Sequence, residues 1–99
     1  MSTRESTKGN TNTKINEPKQ YNVIMLNDDF TTMEFVVSVL IEIFQKDEVT
    51  ANQLMMFVHK NGRAAVGTYP YDIALSKTTK ALDRAKAEGY PFRMTIEEA

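Results

Sequence analysis

Apolar residues first gather at Tyr21-Asn22-Val23-Ile24-Met25-Leu26, and so continuous a run predicts a short strand covered on both faces. Asn27-Asp28-Asp29 ends it. The period then changes: Met33, Val36, Val37, Leu40, Ile41 and Phe44 recur at steps of three and four, which predicts a helix to about Phe44 with that face buried. Thr31-Thr32-Met33-Glu34 has the form of a capping box, with the Thr31 hydroxyl accepting from the Glu34 amide. After the polar turn Gln45-Lys46-Asp47-Glu48, a second box at Thr50-Ala51-Asn52-Gln53 opens a shorter helix through Leu54, Met55, Phe57 and Val58. His59 falls in its last turn, and Asn61-Gly62 closes it with residues that tolerate the left-handed conformation.

Arg63 to Thr68 is small and weakly β-forming between turn residues, which predicts a second strand. Tyr69-Pro70-Tyr71-Asp72 starts the longest helix, with proline in the first turn and Asp72 facing the positive end of the dipole, and Gly89 ends it. Strict alternation from Phe92 to Glu97 puts Phe92, Met94 and Ile96 on one face of a half-buried strand, with Pro91 favouring a sheet edge. The order β-α-α-β-α-β predicts a small single-domain α+β sandwich, a three-stranded antiparallel or mixed sheet packed with three helices. Residues 1–20 contain only Met1 and Ile15 as apolar side chains, too few to offset the entropy of ordering them. They are expected to be a disordered extension, leaving residues 21–99 as the core.

Composition narrows the function more than the fold. Ninety-nine residues support one core, and a net charge of -1 provides no overall field toward nucleic acid or an anionic membrane. Any partner must be recognised locally. With no cysteine and one histidine, neither a thiolate nucleophile nor a soft or multi-histidine metal site can be built. The N-terminal stretch lacks the apolar segment of a secretory signal and no stretch reads as a membrane span, so a cytoplasmic protein is expected.

Adjacent Asp28 and Asp29 lack the further oxygens a hard cation requires, and as neighbours they point apart, which suits turn hydrogen bonds better than paired acid and base. No nucleophile motif and no glycine-rich phosphate loop is present, so no cofactor and no enzymatic activity are expected. The combination is more informative. An amide, a carboxylate and an imidazole are hydrogen-bond acceptors, and Met33 and Met55 offer polarisable, deformable apolar surface beside them. A ligand with a positive ammonium next to a bulky hydrophobic side chain satisfies both parts.

The strings VIMLNDDFTTMEFVVSVL, ANQLMMFVHKNGRAAVGTY and YPFRMTIEEA resemble the ClpS family, adaptors of the Clp protease, over roughly residues 20–99. The resemblance implies a non-enzymatic adaptor that binds proteins whose first residue is Leu, Phe, Tyr or Trp and delivers them to the ClpA (or ClpC) unfoldase. By position, Asn27, Asp28 and His59 would hold the substrate's α-amino group, and Met33 would be a gatekeeper that obstructs β-branched side chains. Thr31, Val36, Met55, Val58 and Phe92 would line the pocket. Asp72 and Lys77 would dock on the unfoldase's N-terminal domain, and the N-terminal extension would be engaged during delivery. The chain departs from the family pattern at Phe30, where tyrosine is frequent, Thr32 (proline), Asp72 (glutamate) and Phe92 (leucine). The alternative is a ribosome- or scaffold-associated interaction module of the same shape without a ligand pocket.

Overall fold

In the computed structural model, residues 17–99 are described, so the expected disorder of the N-terminal extension lies largely outside the described residues. The elements are β1 (Gln20–Leu26), α1 (Met33–Glu42), α2 (Glu48–Asn61), β2 (Arg63–Pro70), α3 (Tyr71–Glu88) and β3 (Arg93–Glu98). β1 is central in the order β2-β1-β3, and both pairings are antiparallel. The α+β class and the element order are those the periodicities predict.

Val23 and Met25 point from β1 into the core, where they meet Phe35, Val39, Leu40, Ile43 and Phe44 from α1 and the adjoining turn, Ala51, Met55 and Val58 from α2, and Ala74, Ala81 and Ala85 from α3. The small alanines let the 18-residue α3 lie close across the sheet. The expectation that β1 is covered on both faces is corrected. Ile24 is buried but stands apart from this core, flanked in register by Ala65 and Thr95 on the outward side. Arg63 and Glu97 project from the same side and form a 2.8 Å ion pair, so this face is finished with charge and not with a second layer of helices.

The helix starts also differ from expectation. Thr32, not Thr31, caps α1, its hydroxyl accepting from the Phe35 amide at 3.2 Å, because Thr31 is turned toward Asp28. Asp47, not Thr50, caps α2: its carboxylate accepts the Thr50 amide at 2.8 Å, so the helix begins at Glu48. Pro70 ends β2 and serves as the N-cap position of α3, so strand passes into helix without a loop. The buried side of α1 is turned as well. Phe35, Val39 and Leu40 are buried, whereas Met33 and Ile41 are 44% and 36% exposed. Apolar residues surround nearly the whole of this helix, so periodicity alone could not choose between two stripes.

One junction positions the site. Gly62 ends α2 with φ of 89° and its amide donates to the Val58 carbonyl at 2.8 Å. Its own carbonyl accepts the Asn27 amide at 2.9 Å. The end of β1 is thereby fastened to the end of α2, three residues beyond His59. A Cβ at position 62 meets nothing within 4 Å, so the cost of replacing this glycine is conformational alone. Gly62→Ala is expected to lower unfolding free energy by about 1–2 kcal/mol in a denaturant titration, and D-alanine introduced at the same position by peptide ligation is expected to preserve it. Equal stability of the wild type and the L-alanine variant would contradict this.

Candidate functional site

Beyond Leu26 the chain folds back on itself through Asp28. Its Oδ1 accepts the amides of Phe30 at 2.8 Å and Thr31 at 2.7 Å, and its Oδ2 accepts the Thr31 hydroxyl at 2.7 Å. Partial burial by itself would raise the Asp28 pKa, but the Thr31 hydroxyl and amide, the Phe30 amide and the nearby Arg93 together outweigh it and bring the pKa below the ordinary aspartate value. The carboxylate is therefore fixed and charged. A carboxylate has about four lone-pair positions, so three intramolecular bonds leave capacity for one more donor.

This turn forms one wall of a cleft of about 480 Å³. Asn27, Asp28, Thr31, Met33, Val36, Met55, Val58, His59 and Phe92, all of the substrate-site candidates, line it together. Its interior is apolar: Met55, Val58 and Phe92 are buried and Val36 is half-buried. Its mouth is polar, with exposed His59 and half-buried Asn27 and Asp28. Asp28, Asp29 and Glu34 contribute carboxylates to the lining, and no lysine or arginine does. A cation is thus favoured at the mouth and an apolar group inside.

Leu26, Asp29, Phe30, Thr32 and Glu34 also line the cleft, although no site role was assigned to them from sequence. The available signal was contiguity, since all but Leu26 belong to the turn and helix start that also carry Asp28, Thr31 and Met33. Phe30 stands out, 75% exposed at the mouth. Two departures from the family pattern have a local explanation. Thr32 supplies the cap hydroxyl and also donates to the Tyr90 hydroxyl at 3.4 Å, both impossible for proline. Phe92 packs edge-on against Phe35 with ring centroids 5.6 Å apart, and Phe35 against Tyr90 at 5.1 Å, so the larger side chain is held in the wall by an aromatic series.

Asp72 and Lys77 do not join this cleft; they lie on α3. Asp72 is exposed in the first turn, where its carboxylate accepts the Ile73 amide at 3.1 Å. The Lys77 ammonium is half-buried and donates to the Ile43 carbonyl and to Gln45 Oε1, each at 2.7 Å, with the Tyr69 ring centroid at 5.3 Å. Burial, and then repulsion from Lys80, lower its pKa. Lys77 thus ties α3 to the turn that follows α1.

The fold and cleft describe a small α+β binding module with an apolar recess behind a polar, acidic mouth. The family described as ATP-dependent Clp protease adaptor protein ClpS matches residues 16–95. A ClpS adapter protein of Campylobacter jejuni is 46% identical over 87% of this chain and 90% of its own length. One of Treponema denticola is 51% identical over 86% of this chain and 84% of its own. A solved structure of Agrobacterium tumefaciens ClpS2 bound to L-phenylalaninamide has a TM-score of 0.81 and 41% identity, covering 84% of this chain and all of that one. The chain belongs to the ClpS family of Clp protease adaptors, and is an adaptor and not an enzyme. Among the described residues no helix is long and apolar enough to cross a membrane.

Because the Asp28 pKa is depressed in the folded state, the stability it contributes is present above the unfolded carboxyl pKa and is lost as pH falls through the lower folded value. Thr31→Val, which removes the hydroxyl donor, is expected to move the Asp28 titration midpoint upward when followed by carboxyl carbon NMR. A midpoint unchanged by the substitution would contradict the assigned cause.

Proposed function

We propose that the cleft captures the first residue of a protein chain, its protonated α-amine held by Asn27, Asp28 and His59 and its bulky side chain received among Val36, Met55, Val58 and Phe92. The single observation that carries this is the convergence of these acceptors on one apolar recess that no lysine or arginine lines. Leucine, phenylalanine, tyrosine and tryptophan fill such a recess, and the phenylalanine derivative named with the Agrobacterium structure supports the choice. Complete burial of a side chain of that size contributes about 1.5–3 kcal/mol, and each hydrogen bond to a charged group about 1.5–3 kcal/mol before association costs. Neither element suffices alone for micromolar affinity.

A ring nitrogen of His59 accepts from the ammonium, and the ionised Asp28 supplies the compensating charge. Thr31 holds Asp28 in place at 2.7 Å and acts by positioning. Met33, 44% exposed at the lip, restricts the entrance against side chains branched at Cβ. Captured chains are handed to a Clp unfoldase, ClpA or its ClpC counterpart, in the cytoplasm, with the α3 surface around Asp72 and Lys77 facing the unfoldase's N-terminal domain. Lys77 retains only one of its three ammonium hydrogens for that purpose, so Asp72 is the more exposed contact.

Acetylating the amine of a Phe-starting peptide removes its charge and most of its donors, and is expected to weaken binding by at least about a hundredfold in fluorescence anisotropy, as two charged hydrogen bonds require. Asp28→Asn retains the acceptor for the Phe30 and Thr31 amides while removing charge, and is expected to weaken the free-amine peptide by about tenfold or more. Acetylated and free peptides binding alike would refute the reading. Met33→Ala is expected to admit Val- and Ile-starting peptides that the wild type excludes, at affinities within about tenfold of the Leu-starting peptide. Continued exclusion of both would remove Met33 from the gate. An interaction module without a ligand pocket would distinguish none of these peptides.

A further inference from the structure

A second cavity, of about 450 Å³, adjoins the cleft between α1 and α2. The two share Met33, Glu34 and Met55, which form a common lip. Along α1 the groove presents Met33, Val37 and Ile41 at four-residue steps, and along α2 it presents Glu48, Asn52 and Met55, so the antiparallel helices line it lengthwise. Ile41 is 36% exposed and Met33 44% exposed, an apolar floor that the protein's own core leaves open. Carboxylates of Glu34, Glu42 and Glu48 edge this floor, and no lysine or arginine lines it. Glu42 is already shared with Arg84 at 2.9 Å, which makes Glu48 the main carboxylate at the far end.

Dimensions identify what fits. Met33 and Ile41 are eight positions apart, about 12 Å at the helical rise of ~1.5 Å per residue. An extended chain advances ~3.3 Å per residue, so the groove accommodates about three or four residues. The lip made by Met33, Glu34 and Met55 is common to cleft and groove, so a chain that leaves the cleft across it enters the groove directly.

We propose that this α1–α2 groove is a second subsite that receives residues two to four of the captured chain, selecting aliphatic side chains along the floor and a basic side chain at the Glu48 end. It rests on the reading of the cleft as the first-residue site. Capture is therefore tuned by the sequence that follows the terminal residue, and a chain with glycine and serine there is held by the cleft alone.

The test is a titration of labelled peptides beginning Phe-Gly-Ser-Gly, Phe-Leu-Val-Lys and Phe-Leu-Val-Glu against the wild type, Ile41→Ser and Glu48→Lys. In the wild type, Phe-Leu-Val-Lys is expected to bind about fivefold more tightly than Phe-Gly-Ser-Gly, the result of half-burying aliphatic side chains. Ile41→Ser is expected to remove most of that gain and leave Phe-Gly-Ser-Gly unchanged, and Glu48→Lys to reverse the order of the Lys and Glu peptides at low salt. Equal affinity of the three peptides for the wild type overturns the proposal, as does a gain that survives Ile41→Ser. Failure of Phe-Gly-Ser-Gly itself to bind overturns the cleft reading and the groove with it, whereas its binding alongside equal affinities overturns the groove alone.

Discussion

The amide of Asn27 donates to the carbonyl of Gly62 at 2.9 Å, and this bond depends on a backbone conformation that glycine adopts without strain. Two segments far apart in sequence, the end of the central strand and the last turn of α2, are joined there. Gly62 in the left-handed region lets α2 end at Asn61 and β2 begin at Arg63, so that helix and strand meet the tip of β1 together. Asn27 and Asp28 emerge on one side of that junction and His59 on the other. The recess between them is closed by Val58 and Met55 on the inner side of the same helix, and by Phe92 at the entry to β3. The site is consequently a property of the topology, with the polar groups at the rim and the apolar groups continuous with the core.

Polar and apolar recognition are held by different devices. The polar side is made rigid by hydrogen bonds: Asp28 is fixed by three of them, from two amides and a hydroxyl, and remains ionised because they outweigh its partial burial. The apolar side is held by packing. Phe92 leans on Phe35, which leans on Tyr90, and the Tyr90 hydroxyl accepts from the Thr32 hydroxyl that caps α1. Thr31 and Thr32 thus divide the work at the helix start, one orienting the carboxylate and the other beginning the helix that carries Met33 and Val36. At the opposite end of α1, Lys77 satisfies the Ile43 carbonyl and joins α3 to the following turn. Both ends of the helix that borders the cleft are therefore anchored.

Much of this was legible in the sequence, for reasons that differ by element. Alternation at Phe92, Met94 and Ile96, the glycines at 62 and 89, and the change of period after Leu26 located the elements, because each reflects a local backbone requirement. Convergence of Asn27 and His59 was not readable from spacing, since it follows from pairing between β1 and β2; resemblance to a known family provided it. Helix starts were misread where two cap-forming residues stood within a few positions of each other, as at Thr31 and Thr32 or Asp47 and Thr50. Which then caps depends on what else each side chain reaches. The exposed stripe of α1 was missed for a related reason. In a helix so uniformly apolar only the packing against Val23 and Met25 determines which side is left over, and the remaining side became the groove wall.

The central claim is that a chain's first residue sits in this recess with its amine at the rim. Amide chemical-shift mapping with L-phenylalaninamide tests it most directly, because the small ligand has an amine and one aromatic side chain and little else. The predicted result is saturable perturbation centred on Asn27, Asp28, Thr31, Val36, Met55, His59 and Phe92, with α3 and the outward sheet face around Arg63 and Glu97 unaffected. Perturbation centred on α3 or on that sheet face, or none at millimolar ligand, would contradict it.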